Sequence, residues 1–206
     1  MEKFKTEQED FWAGSFGNDY IDRNVSSEFL ASNAALFSMI LRKTTQINSI
    51  LEFGANVGMN LRVLKYLLPN TESSGVEINE KAASMLSQSV NNGKVYHKSI
   101  LDFDTDYKRD FVFTKGVLIH LNPEILKKVY TKLYDSTKKY ICIAEYYNPT
   151  PQSVSYRGNE GFLFKRDFAG ELLEIYPDLQ LVDYGFVYHK DNNFKQDDIT
   201  WFLLSK

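Results

Sequence analysis

Cysteine is almost absent: Cys142 is the only one in 206 residues. No internal disulfide can form, and the thiolate sets from which structural zinc sites are built are missing. Long apolar runs are absent too. None approaches the roughly 18 residues a membrane-spanning helix needs. The opening stretch MEKFKTEQEDFW is too charged for a secretory leader. Neither sign of charge dominates: 24 Lys and Arg against 27 Asp and Glu leave a net charge of -3. No overall electrostatic pull toward nucleic acid or an anionic membrane is expected. These absences describe a cytoplasmic chain with no nucleic-acid, membrane or metal partner. They leave its oligomeric state open.

With 43% apolar and 25% charged residues, the chain reads as one soluble globular domain. There is no repeat, low-complexity tract or Gly/Ser linker. Aromatics reach 15%, enough for packing and for hydroxyls in a wet pocket. From Ser49 onward, short β-like runs alternate with helical stretches. SILEF (Ser49 to Phe53), SGVEI (Ser74 to Ile78), KVYHK (Lys94 to Lys98), DFVFT (Asp110 to Thr114) and YICIAEY (Tyr140 to Tyr146) read as strands. Helices are expected over Gly58 to Leu68, from an Asn79 cap to Asn91-Asn92-Gly93, after Asn122-Pro123, and over Asp167 to Tyr176. Alternation of this kind implies right-handed βαβ units and a mainly parallel sheet. Two last strands, near Leu179 to Tyr188 and Ile199 to Leu204, are joined by HKDNNFKQDD. That is too short for a crossover helix, so they should pair antiparallel. Residues 1–48 form a separate cap ahead of the 49–206 core. Ser26 or Ser27 starts a helix, and before it EDFWAGSFGNDYIDRN has the composition of a lid.

The strongest motif is LEFGANVGMN, Leu51 to Asn60, between the first strand and its helix. Its glycines are Gly54 and Gly58, with Asn56 where a dinucleotide fingerprint has its middle glycine. That glycine exists to let backbone approach a pyrophosphate, so a dinucleotide is disfavoured. The Lys-Ser/Thr of a nucleoside-triphosphate loop is missing as well. A nucleoside without phosphates needs less clearance. Glu77, at the end of the second strand, can take both ribose hydroxyls. Glycine loop followed by carboxylate is an adenosine site in an open α/β sheet.

The ExGxxxG loop, the acidic end of strand two and the terminal hairpin resemble a class I S-adenosylmethionine-dependent methyltransferase. More narrowly, the chain resembles the bacterial pseudaminic acid biosynthesis-associated methylase family. That match is carried by FWAGSFGNDYIDRN, ILEFGANVGMN, GVEIN, FTKGVLIHLNPE, AEYYNPTP, YRGNEGFLFKRDFAGE, DYGFVYHKD and QDDITWFLL. The resemblance implies a Rossmann-like fold: a seven-stranded, mainly parallel sheet, a C-terminal antiparallel hairpin and an N-terminal helical lid. It implies S-adenosyl-L-methionine as cofactor, S-adenosyl-L-homocysteine as product, and a small polar acceptor, a sugar or nucleotide-sugar of surface-glycan synthesis. A peptide or protein acceptor, or cofactor binding without turnover, are the alternatives.

On that reading Glu52, Gly54, Asn56, Gly58 and Asn60 surround the methionine half. Glu77 takes the ribose, and Ile78 covers one adenine face. Ser99 and Ile100 meet the adenine edge, with Asp102 near its amino group. Thr114 and Lys115 end strand four beside the sulfonium, with Lys115 turned to solvent or to a substrate carboxylate. Tyr20, Arg23 and Asn24 belong to the lid, and Arg23 can clamp the methionine carboxylate. His120, Glu145 and His189 are base candidates, the first two at strand ends; His189 suits the surface and His97 packing. Tyr146, Tyr147, Asn148, Tyr156, Arg157, Lys165 and Arg166 form the acceptor side, in a loop of about twenty residues without regular structure.

Overall fold

The structure is a computed structural model and describes residues 4–21 and 26–206. Two short helices open it, α1 (Glu7–Ala13) and α2 (Ser15–Ile21), followed by α3 (Ser27–Leu41), capped by Ser26. Then come β1 (Ser49–Phe53), α4 (Met59–Leu67), β2 (Glu72–Glu77), α5 (Glu80–Leu86), β3 (Asn92–His97) and β4 (Arg109–Lys115). The chain continues through α6 (Leu126–Ser136), β5 (Thr137–Glu145), β6 (Gln152–Tyr156), β7 (Asn159–Lys165), α7 (Phe168–Ile175), β8 (Gln180–Val187) and β9 (Ile199–Ser205). Seven strands form one sheet in the order β3-β2-β1-β4-β5-β9-β8. The first five run parallel, and β9 is antiparallel to both β5 and β8.

The central strands are apolar on both faces, as a sheet covered by helices on both sides requires. Along β4, Phe111 and Phe113 face the core under α3 and α4, while Val112 faces the core under α6 and α7. Along β5 the same alternation puts Cys142 on the first side and Ile141 and Ile143 on the second. This two-sided burial leaves only the strand ends free to meet a ligand.

Three details differ from the sequence reading. The helix after Asn79 stops at Leu86, not at Asn91. Ser89 leaves it to donate through Oγ to the Val57 carbonyl at 3.1 Å, and Asn92 already belongs to β3. His97 lies exposed at the end of edge strand β3, its ring 3.2 Å from the Ile78 carbonyl, and packs in no core. The segment expected to be irregular folds into a hairpin, β6 with β7. Arg157 and Gly158 both take positive φ, 51° and 82°, which is the two-residue turn a right-twisted hairpin prefers.

Candidate active site

A cavity of about 580 Å³ lies across the C-terminal ends of the parallel strands. That is where open α/β sheets bind ligands, because strand order reverses there. Its lining follows the sheet: Ser99 and Ile100 after β3, Glu77 and Ile78 at β2, Gly54 to Val57 with Met59 and Asn60 after β1, Lys115 at β4, Tyr146 after β5. On the outer side, α1 and α2 close it with Gln8, Glu9, Trp12 and Tyr20.

The glycine loop is built by backbone strain that glycine tolerates. Gly54 has φ 73° and donates to the Val76 carbonyl at 2.9 Å; Gly58 has φ 81° and begins α4. An added Cβ at Gly58 would lie 2.5 Å from the Ser89 Cβ. Gly58→Ala is therefore expected to lower stability by roughly 1–3 kcal/mol, seen as a lower urea midpoint with unchanged slope. Between the glycines Asn56 also takes positive φ, 48°, a conformation asparagine accepts better than most residues.

Glu77 fastens this loop. Its Oε2 accepts the Asn56 N–H and its Oε1 the Asn79 N–H, each at 2.7 Å. Burial raises its pKa, while the N–H groups of Asn79, Asn56 and Ile78 pull it back. The carboxylate, fixed by these donors, lines the cavity wall. Asn79 caps α5 through Ala82 and also donates to the Trp12 carbonyl at 3.2 Å, tying helix to lid. Behind the loop, Asn60 donates to Glu52 Oε1 at 2.6 Å. Glu52 Oε2 and Asn60 Oδ1 are buried without a described partner. Burial pushes the Glu52 pKa up to about 8, opposed by Asn60 and Lys115.

Lys115 points into the cavity and not to solvent. Its Nζ lies 4.9 Å from the centre of the Phe29 ring. Burial lowers its pKa to about 8, against the pull of Asp197, Glu52 and Glu145. His120 lines the same end. Its Nδ1 donates to the Phe162 carbonyl at 2.7 Å, an acceptor-only partner, which fixes the tautomer and leaves Nε2 with a lone pair. The ring packs between Trp12 and Tyr156 at 4.8 and 4.7 Å, and burial lowers its pKa to about 4. His120 is thus neutral near pH 7.

Other candidates fall outside the cavity. Glu145 is buried, and its carboxylate accepts the N–H groups of Val117 (3.0 Å), Leu118 (3.2 Å) and Ile119 (3.5 Å). It shapes the loop after β4 and does not face the site. Thr114 is fully buried. Asp102 is exposed and paired with Lys5, and does not line the cavity. Arg166 donates to Glu171 at 2.7 Å, and Lys165 lies over the Tyr146 ring at 5.5 Å outside the cavity. Tyr147 packs on Phe202, and Asn148 bonds within its own turn to Thr150. Tyr156 and Arg157 do reach the cavity. His189 is on the surface with Asp198, as expected. Arg23 and Asn24 lie outside the described residues.

Sequence reading missed Gln8, Glu9, Phe29 and Asp197. Glu9 accepts the Ser99 hydroxyl, and Gln8 donates to the Gly161 carbonyl at 2.9 Å, so α1 clasps both β3 and the hairpin. The capping box Thr6 to Glu9 marked the start of α1 in the sequence. Nothing local marked its partners.

No protein-family model and no curated protein matches the chain. Solved structures do. The 1,6-didemethyltoxoflavin N1-methyltransferase of Burkholderia thailandensis, with S-adenosylhomocysteine bound, superposes with a TM-score of 0.69 at 14% identity, over 97% of this chain and 86% of that one. A magnesium protoporphyrin IX methyltransferase from Synechocystis gives 0.68 at 13% identity, over 96% and 97%. A plantazolicin methyltransferase, also with S-adenosylhomocysteine, gives 0.66 at 14%, over 97% and 93%. The fold is that of the Rossmann-like methyltransferases.

Proposed function

We propose that the protein binds S-adenosylmethionine and transfers its methyl group to a small polar acceptor. The observation that carries this reading is Glu77: a carboxylate fixed by the Asn56 and Asn79 N–H groups beside the glycine loop, lining the cavity. The described residues fit the cofactor. Asn60 lines the cavity with an unbonded Oδ1, and Glu52 keeps Oε2 free behind it. Asn60 Oδ1 is an acceptor, and Glu52, its pKa raised to about 8, becomes a second one on losing its proton; an ammonium is the group that would satisfy the first and favour that loss. Ile78, Ser99 and Ile100 offer apolar cover and a polar edge for adenine. The structures similar to this chain include methyltransferases with S-adenosylhomocysteine bound.

When bound, the cofactor supplies a methyl carbon activated by its sulfonium. The chain's contribution is alignment and water exclusion by α1 and α2, which can be worth roughly 7–11 kcal/mol in effective molarity. His120 Nε2 would accept the hydrogen bond of an acceptor hydroxyl and orient its oxygen; as that oxygen is methylated its proton would pass through Nε2 to water, since a pKa lowered to about 4 returns the ring to its neutral form.

For the acceptor, we propose a sugar or nucleotide-activated sugar of bacterial surface-glycan synthesis. Support comes from the resemblance noted above and from Tyr156, Arg157 and Tyr146 at the cavity mouth. The neighbours' own acceptors range from a toxoflavin precursor to a porphyrin, so the fold does not choose among them. Calorimetry with S-adenosylmethionine and S-adenosylhomocysteine tests the cofactor: no heat with either sinks the reading. For the acceptor, methyl-labelled cofactor is incubated with sugar nucleotides and nonulosonic acids, and separately with a proteome extract. Label only in protein overturns the small-molecule assignment. Label in neither favours a binding role without turnover. Arg157→Lys is expected to raise the acceptor KM several-fold with cofactor affinity unchanged, since lysine lacks the planar fork.

A further inference from the structure

Two polar atoms on α1 are buried without a partner among the described residues: Gln8 Oε1 and Trp12 Nε1. Both residues line the cavity, and Gln8 is only 7% exposed. They stand at i and i+4 of one helix and so share a face of it, their Cβ atoms about 5–6 Å apart. Their polarities are opposite and fixed. Gln8 Nε2 donates to the Gly161 carbonyl at 2.9 Å, which orients the amide and leaves an acceptor unpaired. The indole nitrogen of Trp12 can only donate. Buried polar groups are seldom left without partners. An unpaired acceptor and an unpaired donor, one turn apart on a cavity wall, call for a ligand edge that donates beside where it accepts.

α1 is tied to one end of the cavity. Next to Gln8, Glu9 accepts the Ser99 hydroxyl just beyond β3, and the Trp12 carbonyl accepts from the Asn79 side chain just beyond β2 at 3.2 Å. Ile100, Leu101, Ile119 and Leu121 add apolar walls suited to a flat base. With the ribose at Glu77, the base falls between these anchors, its edge remote from the ribose toward α1. Adenine carries the matching pattern there: the 6-amino group donates, and N1 beside it accepts. Asp102, the partner expected for that amino group, is exposed, paired with Lys5 and outside the cavity lining. We infer that the lid reads the base: Gln8 Oε1 accepts from the adenine 6-amino group, and Trp12 Nε1–H donates to N1. The inference rests on the cofactor reading above and adds the residues that choose the base. Recognition of adenine and closure of α1 are then one event, because the groups that read the base belong to the segment that covers it.

The test is binding of two ligands that differ only at this edge. In S-inosylhomocysteine an oxygen replaces the amino group of S-adenosylhomocysteine and N1 gains a hydrogen, so donor and acceptor change places. Calorimetry on the wild type is expected to favour the adenosyl ligand by at least about tenfold, since each unmatched position leaves a buried group unpaired. Gln8→Met and Trp12→Phe should each cut this preference several-fold. Gln8→Glu keeps an acceptor at the position but loses the donor to Gly161, and should retain the preference; its loss there assigns the effect to the Gly161 bond and overturns the role of Oε1. A part confined to seating the lid weakens both ligands alike and leaves their ratio unchanged. Hydrogen exchange over 7–21 should slow more with the adenosyl ligand than with the inosyl one, each at saturation. A wild type that binds both equally overturns the inference and leaves the cofactor reading intact. So does a preference that survives in both Gln8→Met and Trp12→Phe. No binding of S-adenosylhomocysteine removes the cofactor reading and the inference with it.

Discussion

Glu77→Ala is expected to weaken S-adenosylmethionine binding by one to two orders of magnitude, from loss of about 1.5–3 kcal/mol of hydrogen bonding to a charged group. The wild-type carboxylate does two things at once. It lines the cavity, and it joins the Asn56 and Asn79 N–H groups across the loop at 2.7 Å each. Glu77→Gln should rescue little. Both oxygens already face backbone donors, so the amide NH₂ must oppose an N–H at one of the two positions. Calorimetry on the three proteins, with urea melts alongside, separates the effects. A glutamine variant that binds like wild type would show that the carboxylate's charge and its second oxygen do not matter to the ligand.

The second large effect is expected at Trp12. Its ring meets Phe16, Tyr20 and His120 at 5.4, 5.2 and 4.8 Å, and Tyr156 at 6.5 Å. Aromatic pairs of this kind are worth about 0.5–1.5 kcal/mol each beyond their burial. Trp12→Ala should release α1 and α2 from the hairpin while leaving the sheet intact. Hydrogen exchange should then accelerate together in 7–21 and in 159–165, with β1 and β4 unchanged, and cofactor affinity should fall. Acceleration confined to the lid would mean that the hairpin is held by something else.

The parts that were legible in the sequence are those written in periodicity and local backbone chemistry. β1, β4 and β5 are apolar on successive residues because both faces are covered. Gly54, Gly58 and Glu77 are legible because a strand-to-helix turn with positive φ and a carboxylate at the next strand end follow from short-range rules. The hairpin over 152–165 escaped because its strands are largely exposed and polar, QSVSY and NEGFLFK, so no apolar alternation announced them. Its Arg157-Gly158 turn was the available signal. The direction of Glu145, and the turn of Lys115 toward solvent, were misread for a different reason. Both end buried strands, and which way a strand-end side chain turns depends on the loop beyond it. Val117 to Ile119 offer Glu145 three N–H groups, a demand visible only in three dimensions.

The same hairpin bears on how such a protein can change its partner. It is inserted between β5 and α7, outside the seven-stranded sheet. Among the described residues, it is hydrogen-bonded to the rest of the pocket through the Phe162 carbonyl with His120 and the Gly161 carbonyl with Gln8. Both use backbone carbonyls, which any sequence supplies. A lineage can therefore rewrite exposed hairpin side chains, Arg157 included, without disturbing the tautomer of His120, whereas Tyr156 and Phe162 also seat α1 and α2 through their ring contacts with Trp12, Phe16 and Phe11. What recognises one molecule can drift toward another while the machinery beneath it stays under unchanged selection.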